Sequence, residues 1–365
     1  MDTRKLSERI ASIKTAFPGN LMARHFSPDF FHGLPPSRQH RLHDVIHTGI
    51  ENPDSQMGAY ARRSDDYEDF APMLDNMIRD YHGIPFDQDI TQRHDWNIER
   101  GSSHLGQIDP AMETISMRVR VARNIKTFPL PGGMDKSQRL DFEETMTGVL
   151  RAFGETSGFK GRYLSLTPES ANWIDDAEYT RRVQGHQMFK DMSKDRYLAA
   201  AGISSDWPCG RGMFISEDSG FIIWVGEEDQ LRIMSMRKGG DLGAMFLNLK
   251  QGLDKLEELL SGFVHSPKYG YITSCPTNLG AGMRASLHIA LPNLTRVGED
   301  LDHLKNIAAG MGLSIRGAGG EHSGAGEGGL VDISPSARLG VTEKEIMERL
   351  YHGASELWRM DREAM

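Results

Sequence analysis

The sequence predicts an α+β protein in which a small all-helical N-terminal part precedes a larger part of strands and helices. Three observations predict it. Apolar residues within positions 1–82 recur at helical spacing between polar turns. Two later runs, 116–123 and 284–289, alternate with period two, as half-buried strands do. Residues 221–236 read as two apolar strands joined by an acidic turn, which is a hairpin.

The chain has 365 residues, of which 38% are hydrophobic and 25% charged, enough for two domains and a sizeable core. Its net charge of −9 argues against general binding to nucleic acid or to an anionic membrane, yet leaves room for a local anion site. Two cysteines, Cys209 and Cys275, make no disulfide framework, so a reduced, cytoplasmic setting is expected. The opening Met1-Asp2-Thr3-Arg4-Lys5-Leu6 lacks the apolar stretch of a signal peptide, and no apolar run approaches membrane-spanning length.

Taken in order, Leu6, Ile10, Ile13 and Phe17 fall on one helical stripe, which Pro18-Gly19-Asn20 ends. A helix over 36–50 carries His40, His43 and His47 on nearly one face. No carboxylate or thiol completes a metal site there, so a solvated face is expected. Small and polar residues at 54–60 read as a turn. Residues 1–82 form the N-terminal domain, 83–107 a polar linker, and 108–365 the larger domain.

Within the larger domain, Arg118 and Arg120 share one face of a strand, which is unfavourable unless they are solvated or face an anion. A helix over 135–153 offers Leu140, Met146, Val149 and Leu150 to a sheet, and 242–263 forms another amphipathic helix. Cys275 stands before Pro276, which keeps it out of a helix. A glycine-rich turn follows, and then Arg284, Ser286 and His288 occupy the polar face of a strand. Residues 316–329 are half glycine and lack the P-loop pattern, so they read as a mobile lid. A helix over 342–358 closes the chain.

The stretch Cys275-Pro276-Thr277-Asn278-Leu279-Gly280-Ala281-Gly282-Met283-Arg284 resembles a signature of the phosphagen kinases, Cys-Pro-(Thr/Ser)-Asn-Leu-Gly-Thr-Gly-Leu-Arg. These are ATP:guanidino phosphotransferases that include arginine and creatine kinases. Three more segments are similar in the right order: 116–120 to Ser-x-Arg-Val-Arg, 225–232 to Val-Asn-Glu-Glu-Asp-His-Leu-Arg, and 316–322 to Arg-Gly-Thr-x-Gly-Glu-His. Ala281, Met283, Gly226 and Gln230 depart from the patterns, and Gly319 stands where arginine kinases often carry Arg. The resemblance implies the guanidino kinase, glutamine synthetase-like fold, with an antiparallel sheet flanked by helices.

The same resemblance implies site residues. ATP/ADP with Mg2+ would be held by Ser116, Arg118, Arg120, His186, Arg232, Arg284, Ser286, His288, Arg316, Gly317 and Gly320. A guanidino substrate would meet the loop Ser55, Gln56, Met57, Gly58, Ala59 and Tyr60, and the catalytic residues Glu228, Cys275 and Glu321. Asp54 and Arg196 would bridge the two domains. The short loop, Tyr81 and Glu321 imply L-arginine as acceptor, with phosphoarginine and ADP as products. The family also contains taurocyamine and other guanidino-compound kinases, and protein-arginine kinases; an inactive nucleotide-binding scaffold is the alternative outside enzymes. Members occur as monomers and homodimers.

These residue types suit the implied chemistry. Planar arginine forks bind phosphoryl oxygens bidentately and stay charged while γ-phosphoryl charge spreads in the transition state. Mg2+ is usually held through substrate phosphates, so no all-protein metal cage is expected. A guanidinium keeps its proton to a pKa of ~12.5. Two carboxylates, Glu228 and Glu321, would align it and accept that proton, with Cys275 beside them as a thiolate lowered by nearby positive charge.

Overall fold

The computed structural model describes residues 2–98, 105–296, 301–317 and 326–364. The chain opens with six helices: α1 (Thr3–Ala16), α2 (Leu21–His25), α3 (Pro28–Gly33), α4 (Pro36–Glu51), α5 (Asp66–Asp69) and α6 (Ala71–His82). The turn that ends α1 also starts α2. Asn20 caps α2 by accepting from Ala23 N at 2.9 Å, and its amide donates to Gly49 O and Pro53 O at 3.1 and 3.0 Å. The histidine face of α4 is partly covered: His40 is exposed, and His43 and His47 are half-buried. His47 Nδ1 donates to Ala200 O at 3.0 Å and His40 Nδ1 to Pro36 O at 2.7 Å.

The larger part alternates strands and helices. Its strands are β1 (Ser116–Arg123), β2 (Gly161–Ser165), β3 (Gly212–Ser216), β4 (Phe221–Val225), β5 (Leu231–Lys238), β6 (His265–Ser266), β7 (Gly270–Tyr271), β8 (Met283–Ala290), β9 (Leu313–Gly317) and β10 (Leu330–Pro335). Its helices are α7 (Lys136–Gly154), α8 (Asp176–Gln184), α9 (Arg196–Ala200), α10 (Leu242–Leu260), α11 (Leu301–Gly310) and α12 (Glu343–Glu363). Among the described residues, eight strands form one antiparallel sheet in the order β2-β3-β4-β5-β1-β8-β10-β9, and β6 pairs with β7 apart from it. The expected hairpin is β4–β5. Among the described residues no helix is long and apolar enough to cross a membrane.

Strand alternation decides what each face of the sheet does. On β1, Met117, Val119 and Val121 point into a core shared with Phe142 and Met146 of α7, Phe246 and Leu249 of α10, and Met347 and Leu350 of α12. Arg118 and Arg120 therefore point to the other face. On α7 the apolar stripe is shifted from the expected one: Met146 and Leu150 are buried, Leu140 faces solvent, and Phe142 and Phe153 take the inner positions.

The N-terminal helices do not keep a core to themselves. Phe31, Leu42, Ile46, Tyr67 and Met77 pack with Tyr269, Ile272, Cys275 and Leu279 from far along the chain. Tyr67 OH donates to Thr273 O at 2.8 Å, and Ala61 N donates to Ser274 O at 2.7 Å. A second contact joins α4 to α9. The bridge expected between Asp54 and Arg196 forms, and Tyr197 OH donates to the same carboxylate oxygen at 2.8 Å.

Asp66 locks the turn into α5. Its buried carboxylate accepts from Arg62 N and Arg63 N at 2.7 and 2.8 Å and from Arg41 Nε at 2.6 Å. Arg41 also pairs with Asp65 and Asp69 at 2.7 and 2.6 Å, so removing Asp66 leaves the Arg62 and Arg63 N–H groups without an acceptor and does not strand the guanidinium. Asp66→Ala is expected to cost about 1–3 kcal/mol of unfolding free energy, the usual penalty for buried donors left unpaired, read from urea melts followed by far-UV circular dichroism. A cost under about 0.5 kcal/mol, the range of ordinary surface substitutions, would show that this carboxylate is not what fixes the turn.

Candidate active site

The non-core face of the sheet gathers cations. Antiparallel register sets Arg120 opposite Arg284, Arg118 opposite Ser286, and Ser116 opposite His288. Arg232 on β5 pairs with Ala122, and Arg316 on β9 lies across from Asp332 on β10. Because all these strands are antiparallel neighbours, residues far apart in sequence share one face.

Arg118, Arg120 and Arg284 are poorly matched within the protein. Arg120 is held well below the usual arginine range by burial and by Arg232, Arg118 and Arg284. Arg284 is lowered to about 10 by burial and by Arg316, against the opposing pull of Asp332. Arg284 Nη2 donates to Asp332 Oδ2 at 2.9 Å, but its Nε and the second oxygen of Asp332 are buried without a hydrogen-bond partner. Such a face is built to receive several anionic oxygens.

Two cavities open on it, and both are lined by Arg118 and His186. One, of about 440 Å³, adds Ser116, Ser286, His288 and Gly317. The other, of about 430 Å³, adds Arg120, Phe189, Trp224, Glu228 and Arg232. His186 follows α8 with φ of 56°, a left-handed conformation that turns the chain back toward the sheet. Ten of the expected nucleotide residues are thus described: Gly317 ends β9, and Arg316 stands on it. Gly320 lies outside the described residues, as do Glu321 and Gly319.

The turn between β4 and β5 supplies the acids. Gly226, at φ of 74°, starts it, and its N–H donates to Gln230 O at 2.9 Å. Gln230 departs from the family pattern, yet it is buried and pins the neighbouring loop: its Oε1 accepts from Ile125 N at 2.7 Å. Asp229 is also buried and accepts from Asn124 Nδ2 and Ser274 N at 2.8 and 2.7 Å. With both flanks fixed, Glu227 and Glu228 reach Arg232 at 2.7 and 3.1 Å. Burial raises the Glu228 carboxyl; Arg232 resists this, Glu227 and Asp229 add to it, and the result is about 7. Arg232 is buried too, but the same acids hold it above its ordinary range.

Cys275 completes this end. Its sulfur lies 3.1 Å from Thr277 Oγ1. The positive surroundings expected for it are replaced by acids: burial and the Glu228 carboxylate push the thiol up to about 12, against the Thr277 hydroxyl. The expected thiolate is therefore corrected to a neutral thiol in this arrangement.

The loop at 55–60 is held by its backbone. Gln56 O accepts from Leu21 N at 2.8 Å, Gly58 O accepts from Gly49 N at 2.9 Å, and Tyr60 N donates to Val45 O at 2.9 Å. Ser55 Oγ accepts from Gly58 N at 3.1 Å. Met57 and Ala59, two departures from the family loop, turn into the core. Tyr60 carries the loop toward the acids: burial, Cys275 and Glu228 together raise its hydroxyl well above the usual range. Tyr81 and Gln56 line a separate cavity of about 620 Å³ with Arg24, Asp54 and Asp80.

Sequence reasoning missed Arg338. Its Nη1 donates to Asn278 Oδ1 at 2.6 Å and to Thr277 O at 3.1 Å, and Asn278 Nδ2 in turn donates to Glu228 Oε2 at 3.3 Å. Arg338 sits in Ser336-Ala337-Arg338-Leu339-Gly340, which carries no pattern that marks it.

Comparison with known proteins gives the family of the chain and its relatives. The family model described as ATP:guanido phosphotransferase, C-terminal catalytic domain, matches residues 141–364, and the N-terminal domain model matches 18–79. An arginine kinase of Anthopleura japonica is 36% identical over 97% of this chain, which spans about half (49%) of that relative. The arginine kinase of Limulus polyphemus is 36% identical over 94% of this chain and 93% of its own. Among solved structures, the substrate-free duplicated taurocyamine kinase of Schistosoma mansoni aligns with a TM-score of 0.83 at 27% identity, over 98% of this chain and 49% of that one. A lombricine kinase aligns with a TM-score of 0.82 at 27% identity, over 94% and 92%.

Arg232 and Arg338 both pull the Glu228 carboxyl down. Arg338→Met is expected to raise its pKa above about 7, and Arg232→Met to raise it further. A carbon-13 carboxyl titration reads both shifts, and an unchanged value in Arg338→Met would remove Arg338 from the field at Glu228.

Proposed function

The chain belongs to the ATP:guanido phosphotransferase family, whose members use ATP/ADP, Mg2+ and a guanidino substrate, and on that premise we propose that it transfers the γ-phosphoryl group of ATP reversibly to L-arginine. The observation that carries the reading is the placement of Glu228 at the edge of the arginine face, with a carboxyl raised to about 7.

Arg118, Arg120, Arg232, Arg284 and Arg316 would hold the phosphates, whose oxygens meet the unpartnered N–H of Arg284. Mg2+ bound to those phosphates supplies charge neutralisation. His186, Ser116, Ser286, His288 and Gly317 line the cavity into which the rest of the nucleotide fits. Glu228, ionised and swung from Arg232 to the acceptor, would orient one guanidinium nitrogen for in-line attack and take its proton. Glu321 is proposed as the second clamp. Cys275 would contribute shape in front of the acceptor and become a charged partner only when a cation sits against it.

Arginine as the acceptor is supported by the short 55–60 loop, by Tyr81, and by relatives named arginine kinase that align over nearly the whole chain. Taurocyamine is the second reading, favoured by the Schistosoma structures. A coupled ADP-release assay with arginine, taurocyamine, lombricine, creatine and glycocyamine separates them. Arginine is expected to give the highest kcat/KM. Turnover confined to another member of the panel would overturn the choice of acceptor and keep the mechanism. ATP binding without turnover of any member would point to a protein substrate or a scaffold.

Two further outcomes follow from Glu228. Glu228→Gln should lower kcat by about 10²–10⁴-fold, the usual worth of a general base, while leaving the Kd for ATP nearly unchanged. Below its pKa Glu228 is protonated and takes no proton from the acceptor. The forward kcat/KM, which reports groups of the free enzyme, should therefore climb with pH through about 7 and level off above it. A flat profile between about pH 6 and 8 would set aside Glu228 as the base.

A further inference from the structure

A second set of titratable groups meets on the helix-covered side of the sheet, where the segment after α6 crosses the catalytic part. His94 Nδ1 lies 2.6 Å from Glu343 Oε1, and His94 Nε2 lies 2.6 Å from His265 Nε2. The Glu343 side chain is fully buried at the start of α12. With the Glu343 oxygen as acceptor, His94 Nδ1 is the donor and carries a proton. The Nε2–Nε2 contact then needs one proton between its two nitrogens. With none, two lone pairs face each other; with two, a pair of N–H groups do. The contact therefore tolerates a neutral pair or one positive charge, which Glu343 balances, and not two.

The surroundings add weight to this limit. Facing the pair are Glu343 of α12, Tyr271 of β7, Arg123 of β1, and Lys250, Asp254 and Glu257 of α10. Lys250 is paired with Asp254, and Arg123 stacks over the Tyr271 ring at 3.4 Å. Burial, His94 and Arg123 lower His265 from its ordinary value, with Glu343 opposing. A histidine lowered in the folded state leaves stability intact above its unfolded pKa of ~6.5 and loses it as the pH falls below that value.

The pair holds down a strap. Gln92 N donates to Pro267 O at 3.1 Å, between β6 and β7. Gln92 Nε2 donates to Val341 O at 2.8 Å, and its Oε1 accepts from Gly340 N at 2.9 Å. Lys344 N donates to Asp95 O at 2.9 Å. Gln92 thus ties the hairpin that runs into the Cys275 turn to Gly340, two residues beyond Arg338, while Asp95 at the other end bonds the start of α12.

We propose that His94 and His265 form a proton-operated latch, which holds residues 92–95 between the β6–β7 hairpin and α12 while it shares one proton on the Nε2–Nε2 axis and releases them when mild acid adds a second charge. Release loosens the supports of Cys275 and of Arg338 together, which makes the site responsive to acid through residues that touch neither substrate.

The test uses the full chain and amide hydrogen exchange at Lys344, whose N–H is bonded to the strap. After correction for intrinsic exchange chemistry, its rate should rise about tenfold or more between about pH 7.5 and 5.5, tenfold being the factor given by one pKa unit of coupling. His265→Gln keeps a donor for His94 Nε2 and takes up no proton, so its rise should fall below about twofold, the scatter of uncoupled sites. Equal rises in the two proteins would overturn the latch. Should His265→Gln not fold, nitrogen-15 titration of the wild-type rings decides. Two separated steps, with exchange rising at the second, support the latch; a single step, or exchange that stays flat through both, overturns it.

Discussion

Repulsion among arginines on one face of a sheet is the constraint that the rest of this molecule serves. Two unit charges 5 Å apart at an effective dielectric of 20 repel by roughly 3 kcal/mol. Arg118, Arg120, Arg232, Arg284 and Arg316 share that face; Glu227 and Glu228 balance Arg232, whereas burial and the neighbouring cations hold Arg120 and Arg284 below their ordinary range. Only a rigid scaffold keeps such a cluster gathered. Here the opposite faces of the same strands are driven into a core of Val119, Val121, Ile233 and Leu287, so folding that core presents the cations. The apolar alternation stabilises; the polar alternation is carried along with it.

The acids are placed by a different device. Glu227 and Glu228 stand on a turn whose neighbours, Asp229 and Gln230, are buried and bonded to the chain at 124–125 and 274. Sequence patterning marks this as an ordinary acidic turn, and solvated acids would have ordinary pKa values. Burial changes that: a carboxyl moved to about 7 in a cavity shared with Arg118, Arg120 and Arg232 is the kind of perturbation that functional sites show. The Cys275 turn contributes Asn278, and the segment after β10 contributes Arg338, so Glu228 is oriented from three places in the chain.

Much of this was legible in the residues. Period-two runs marked β1 and β8, and the Phe221–Val225 run with its acidic turn marked the hairpin. The motif segments led to the arginines. What the sequence hid depends on long-range contacts. Arg338 has no local pattern, because its role comes from reaching Asn278 60 residues away. The sign of the field at Cys275 was misread, because the neighbouring arginines are visible in sequence while the closer Glu228 arrives only by folding. The stripe of α7 was misjudged at Leu140, since a helix rotated slightly on a sheet favours Phe142 and Phe153. The core of the N-terminal helices is completed by Tyr269, Ile272, Cys275 and Leu279, a long-range contact that no local pattern marks.

The contact between α4 and the 55–60 loop has a consequence for redesign. A Cβ at Gly49 would lie 2.6 Å from Gly58 O, and Gly58 itself holds φ of 73°. The helix and the loop are therefore cut to one another, glycine against glycine. A transplanted loop that brings its own backbone path will not seat unless position 49 travels with it. The unit of exchange between related enzymes is then not a loop but a loop with its helix, and swaps confined to residues 55–60 would test the join before they test the substrate.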